Sequence, residues 1–206
     1  MKKSSKDKFI SAIAIAALIN VDSAHAQGPG DPPTMEPKVQ SREVFDVSAY
    51  ERNMYDLLDT FTGIWKGTLI ISSETGQIIK LVSLNQSYWW DKHVLKGLAT
   101  YGNEDRLEYA FSETSVENGT ITAIIQEGNQ SRVMQATPTD TGLVWVPSDP
   151  TRIGREQSSE YVTQEEGKEV LVINGFELIT NPPLEQKILI RAELVKQDAN
   201  PSEPLP

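Results

Sequence analysis

Residues 57–69 read LLDTFTGIWKGTL, and within them the spacing of the apolar side chains changes from that of a helix to that of a strand. Upstream, Ser48 and Glu51 have the spacing of a capping box, and Tyr50, Met54, Leu57, Leu58 and Phe61 then fall on one helical face. The pattern predicts a helix from about Ala49 to Phe61, with Gly63 just past its end where a C-cap glycine stands. One apolar stripe is what a helix packed on a core shows.

Downstream, short β-rich runs alternate with turn residues. Strands are predicted over 64–72, 78–90, 93–101, 106–114, 120–127, 131–137, 142–147, 157–164, 168–179 and 185–196. Asn118-Gly119 is the pair of a tight hairpin turn, and Gly142 and Gly167 stand where positive φ is expected. The joins are too short for crossover helices. About ten antiparallel strands in one domain predict an all-β, up-and-down barrel with one N-terminal capping helix, because closure removes exposed edges. A two-sheet sandwich is the alternative.

The N-terminus has the order of an export leader. Lys2, Lys3, Lys6 and Lys8 precede a run from Phe9 to Ile19 that is apolar apart from Ser11 and too short to span a bilayer. Ala24-His25-Ala26 then supplies a small-x-small cleavage pattern, so residues 1–26 are expected to be a signal peptide cut after Ala26. The expected order is a Pro/Gly-rich linker over 27–42, one domain over 43–197 and a Pro-rich tail over 198–206. The mature chain is then expected in a periplasm or outside the cell, with no membrane insertion after cleavage.

Composition narrows the partners. Removing the leader leaves 15 basic residues (19 less 4) and 27 acidic ones (29 less 2), a charge near −12. Nucleic acid is not expected as a partner, because the basic residues are scattered singly among carboxylates. The absence of cysteine excludes disulfides and thiol nucleophiles.

The stretch 57–69, with Gly63 and Trp65 followed by Gly67, resembles the opening of lipocalin-like (calycin) barrels, in which a short helix leads into a Gly-x-Trp first strand. The order helix, meander and final strand with Arg, here Arg191 in ILIRAEL, is also similar to that group, especially its uncharacterised bacterial members. The resemblance implies that Trp65 lies at a helix-plugged end and that Arg191 crosses its ring, both as structural residues. Some such barrels hold haem through a histidine near the C-terminus. None stands there in this chain, so no cofactor is expected.

A small barrel is either filled by side chains or holds one small molecule. Trp89 and Trp90 must face opposite ways, and Tyr88 shares a face with Trp90. If that face is inward, it also carries Val82, Leu84 and Gln86. His93, Leu95 and Tyr101 could extend the wall, with Trp145 and Phe176 as later candidates; all are equally readable as core. His93 is the sole histidine after the leader, which leaves no metal ligand set, and no Ser/His/Asp elbow is present. The favoured expectation is an exported binder of a small apolar or aromatic molecule, ahead of an enzyme. The alternatives are a carboxylate-based enzyme in the same cavity and a filled barrel acting as a protein-interaction domain.

Overall fold

A computed structural model describes residues 48–103, 106–181 and 184–198. The expected leader, the linker and all of the tail beyond Asp198 lie outside these residues. Helix α1 spans Ala49–Asp59. Its first turn is held by the anticipated capping box: the Glu51 amide donates to Ser48 Oγ at 3.2 Å, and the Ser48 amide donates to Glu51 Oε2 at 3.3 Å. The buried side is Met54, Tyr55 and Leu58, continued by Phe61. Tyr50, expected in the stripe, is 61% exposed, and its ring lies near Gly119 instead. The helix is capped by Thr60 rather than by Gly63, which opens the first strand at φ +125°.

Ten strands follow: β1 (Gly63–Ser73), β2 (Ile78–Asp91), β3 (Val94–Asn103), β4 (Arg106–Glu117), β5 (Thr120–Glu127), β6 (Gln130–Pro138), β7 (Gly142–Pro147), β8 (Glu156–Glu165), β9 (Lys168–Asn181) and β10 (Leu184–Gln197). Each pairs antiparallel with its sequence neighbours, and β10 pairs with β1, so the sheet is a closed up-and-down barrel and not a sandwich. The Asn118-Gly119 turn has φ of 51° and 73°, the double positive φ that a two-residue hairpin requires. Gly142 lacks the positive φ expected of it. It is crowded instead: a Cβ there would sit 2.1 Å from the Glu160 carbonyl oxygen.

The two ends of the barrel differ. Where β1 begins and β2 ends, α1 lies across the opening. The Trp90 indole donates to Asp59 Oδ1 at 2.7 Å, the Trp65 indole to the Phe61 carbonyl at 2.7 Å, and the Tyr55 and Trp90 rings lie 5.9 Å apart. This end is sealed by aromatic side chains. At the far end the 148–155 segment is tied down by backbone bonds from Ser148 to Val133 and from Leu178 to Arg155.

The implied contact between Trp65 and Arg191 does not form. On β10 the inward row is Ile188, Ile190, Ala192 and Leu194, so Arg191 points outward and pairs with Glu193 in solvent. The cation over the Trp65 ring is Lys196, 5.1 Å from its centroid and directly opposite Trp65 in the β1–β10 register. Lys196 in turn bonds Glu169 Oε2 at 2.7 Å.

Backbones approach closely where β1 crosses β10. A Cβ on Gly67 would stand 2.0 Å from the Glu193 carbonyl oxygen, an atom of the ladder that cannot move aside. Gly67→Ala is expected to destabilise the domain by about 1–3 kcal/mol, the ordinary range for overpacking. Denaturant unfolding checks this; a midpoint equal to that of the parent protein would mean that β1 and β10 are not this close.

Candidate functional site

Alternation along closed strands decides what the lumen contains. On β2 the inward row is Val82, Leu84, Gln86, Tyr88 and Trp90; on β3 it includes Leu95, Gly97, Ala99 and Tyr101. Trp89 faces outward against Phe111, so the adjacent tryptophans do part as their spacing requires. On β8 the inward row is Glu156, Ser158 and Glu160, and all three are almost fully buried.

One group of polar side chains lies on the β2–β4 wall. The Gln86 amide nitrogen donates to the Tyr88 hydroxyl. Gly97, between them on β3, leaves the space in which they meet β4: a Cβ there would come 2.3 Å from Ser112 Oγ and 2.8 Å from the Tyr88 ring. A second group lies on the β7–β8 wall, where Trp145 is the register partner of Ser158 and Leu143 that of Glu160. In a ring of ten, β3 and β8 are five strands apart, so the two groups face one another. Glu160 and the Tyr88 hydroxyl feel each other electrostatically across the lumen.

These groups carry buried atoms without a hydrogen-bond partner: Gln86 Oε1, Ser112 Oγ, Trp145 Nε1, Ser158 Oγ and Glu160 Oε1. Such atoms are rare in folded proteins, and a cluster of them inside one barrel marks a place where water or a ligand completes the bonding. Burial pushes the Glu160 carboxyl up to about 8, and the Trp145 indole N–H, aimed at the carboxyl but outside full hydrogen-bond geometry, opposes part of the rise. Burial, then the Glu160 charge, pushes the Tyr88 phenol well above its ordinary value, and the bond with Gln86 offsets some of this. At neutral pH the centre of the barrel therefore holds a neutral carboxylic acid facing a neutral phenol.

The far end is ionic. Arg152, from the 148–155 segment, donates to Glu156 Oε2 at 2.6 Å and to Glu177 Oε1 at 3.2 Å. Burial, then the neighbouring Glu156 charge, raises the Glu177 carboxyl to about 8, while Arg152 and Arg132 pull it down. Tyr101 donates to Glu127 Oε1 nearby, and burial raises the Glu127 carboxyl in spite of that bond. Among the described residues no cluster of three or more His, Cys, Asp or Glu side chains could hold a metal ion.

The residues singled out from sequence divide by position. Tyr88 and Trp145 line the polar centre. Trp90 and Leu95 lie inward at the helix-sealed end, and Tyr101 lies inward at the ionic end. His93 is not in the wall. It stands exposed in the β2–β3 turn, beyond the last ladder pair of Asp91 with Val94. Phe176 also faces out, with Lys187 Nζ 4.9 Å from its ring centroid, because its neighbours Gly175 and Glu177 take the inward positions. Ser112, Ser158, Glu160, Glu156, Glu177, Arg132 and Arg152 were not anticipated. The available signal was β8 itself, polar at both parities in EQSSE, since a closed barrel must turn one of those faces inward.

What this architecture defines is a class: small, closed antiparallel barrels, helix-sealed at one end and polar at mid-lumen. No protein-family model matches the chain, and no curated protein is similar enough to count as a relative. No helix among the described residues is long and apolar enough to cross a membrane.

Glu160 makes stability depend on pH. Its ordinary value of 4.5 applies to the unfolded chain and about 8 to the fold, so between these the folded state holds a proton that the unfolded state has released. Stability contributed by the neutral acid is thus complete below about 4.5 and is lost as pH rises through about 8. In the middle of that window, Glu160→Gln is expected to flatten the fall in unfolding free energy by about 1 kcal/mol per pH unit. Denaturant titrations from pH 5 to pH 9 check this, and equal slopes for the two proteins would contradict a neutral Glu160.

Proposed function

We propose that this chain binds a small amphiphilic molecule inside its barrel. The observation that carries this is the cluster of five unpartnered polar atoms on facing walls at mid-lumen. Each such atom costs on the order of 1–3 kcal/mol when it is buried unsatisfied. A chain selected only for a filled core would hold apolar side chains at Ser112 and Ser158. A ligand with one ring and one polar head suits walls that mix Tyr88, Trp145 and Leu143 with hydroxyls and an acid. The purely apolar ligand expected from the aromatic residues suits them less. Entry lies at the Arg152 end, since α1 seals the other. The leader-like residues 1–26 support action in a periplasm or outside the cell.

Glu160 supports a second reading as well. A carboxylic acid that keeps its proton near neutrality is a general acid, and Tyr88 across the lumen is a second proton donor. The other buried carboxylates, Glu156 and Glu177, are bound to Arg152 at the far end. Binding is therefore the stronger reading.

N-phenyl-1-naphthylamine, an uncharged fluorescent probe, is expected to bind one per chain with a blue shift and with quenching of tryptophan emission. Ser158→Leu places four carbons into the polar centre and is expected to weaken binding by at least about tenfold, a loss of about 1.4 kcal/mol. Its circular dichroism should match that of the parent, since a partnerless hydroxyl is removed. Absent binding to the parent protein, or binding indifferent to a folded Ser158→Leu, would overturn the reading.

A further inference from the structure

The five unpartnered atoms are not balanced between donors and acceptors. Trp145 Nε1 can only donate, Gln86 Oε1 can only accept, Ser112 Oγ and Ser158 Oγ can accept, and an ionised Glu160 only accepts. One obligatory donor therefore faces four oxygens. The serine hydroxyls can turn to donate or to accept, so a ligand rich in N–H groups and poor in lone pairs can be met by all four oxygens at once. A carboxylate or phosphate ligand has the opposite inventory and would face Glu160. A primary ammonium group has three donors and no acceptor.

The charge balance points the same way. At the far end, Arg132 and Arg152 moderate the carboxyl of Glu177. Nothing comparable acts on Glu160, where only Trp145 opposes burial. The groups packed round it are the Tyr88 phenol from β2, Trp145 and Leu143 from β7, and its register partner Ile173 from β9. On its own strand Glu156 lies beyond Ser158, towards Glu177, Arg152 and Arg132. A bound cation would supply the missing countercharge, and the Tyr88 and Trp145 rings offer π faces to the carbon next to it.

Resting on the binding function proposed above, the geometry points to a small aromatic amine as the ligand class, its ammonium group held between Glu160 on β8 and the oxygens of Gln86, Ser112 and Ser158. Binding involves no covalent change. The ammonium enters with its proton, the Glu160 carboxylic acid gives its own proton to solvent, and the carboxylate and ammonium remain as an ion pair. A proton is thus released on binding wherever free Glu160 is neutral. The dissociation constant should fall with rising pH and level off above about 8.

The test uses calorimetric titration of the mature chain with 2-phenylethylamine, 2-phenylethanol and phenylacetate, in two buffers of different ionisation enthalpy. The amine is expected to bind at least about tenfold tighter than the alcohol at pH 7.5. It should release a substantial fraction of one proton, tighten by up to about tenfold per pH unit from pH 6 to pH 7.5, and lose its advantage in Glu160→Gln. Proton release by the parent protein needs no variant, so it stands even if Glu160→Gln folds poorly. Equal affinity for amine and alcohol, tighter binding of phenylacetate, or amine binding without proton release overturns the amine inference and leaves the binding function intact. If neither these three molecules nor N-phenyl-1-naphthylamine binds, both fall together.

Discussion

The pairing of β1 with β10 is the constraint from which the rest of the structure follows. β1 is hydrogen-bonded on both sides, to β2 and to β10, along nearly its whole length from Ile64 to Ser73. That pairing leaves no strand edge open to other chains and turns an inward or outward choice into a property of the whole ring. A slip of one residue on any strand would reverse its faces. Register therefore carries chemical information here: it sends Arg191 to solvent, sets Lys196 over Trp65, and encloses three glutamates together with Gln86, Ser112 and Ser158 among aliphatic and aromatic side chains.

Much of the barrel was legible because local signals agree with the global arrangement. Ser48 and Glu51 mark the start of α1, Asn118-Gly119 the turn between β4 and β5, and the predicted strands match the observed ones to within a few residues. The errors arise where parity must be known and no local signal supplies it. Arg191 was placed by analogy with other barrels, although counting by twos from Ile188 and Ile190 already turns it outward. Phe176 looks like a wall residue until its neighbour Glu177 is found buried, a choice that hydrophobicity alone reverses. His93 fails for a different reason. Lys92, at φ 57°, ends the strand, and alternation stops there. Tyr55 was missed on α1 because its burial depends on Trp90, thirty-five residues later in the chain, and not on the helical stripe.

The lumen has three chemical zones, and the order in which they stack sets what each can do. Under α1 the zone is apolar and its indole N–H groups are satisfied by Phe61 and Asp59, so it is a rigid floor. At the opposite end, ion pairs through Arg152 link the 148–155 segment to β8 and β9. The polar centre lies between them and is linked to neither by hydrogen bonds from its unpartnered atoms. Buried polar atoms without a hydrogen-bond partner gather there, although Ser148 Oγ and Glu177 Oε2 at the ionic end lack one too.

The two ends of β8 show how differently the same side chain behaves. At the far end, Arg132 and Arg152 lie among Glu127, Glu156 and Glu177, with Glu108 close enough to act on Glu127. Burial and the Glu156 charge raise the Glu177 carboxyl to about 8, so at neutral pH this cluster keeps a proton on Glu177. Two inward positions further along the strand past Glu156, Glu160 is held protonated by desolvation alone. In the first arrangement the carboxyls have cations of the protein itself beside them, although Glu177 Oε2 is left without a hydrogen-bond partner. The second has no cation beside it, and the Trp145 indole offsets only part of the cost of burial. The position of Glu160, enclosed by register and left without a countercharge, is therefore what distinguishes the centre of this barrel from its ionic end.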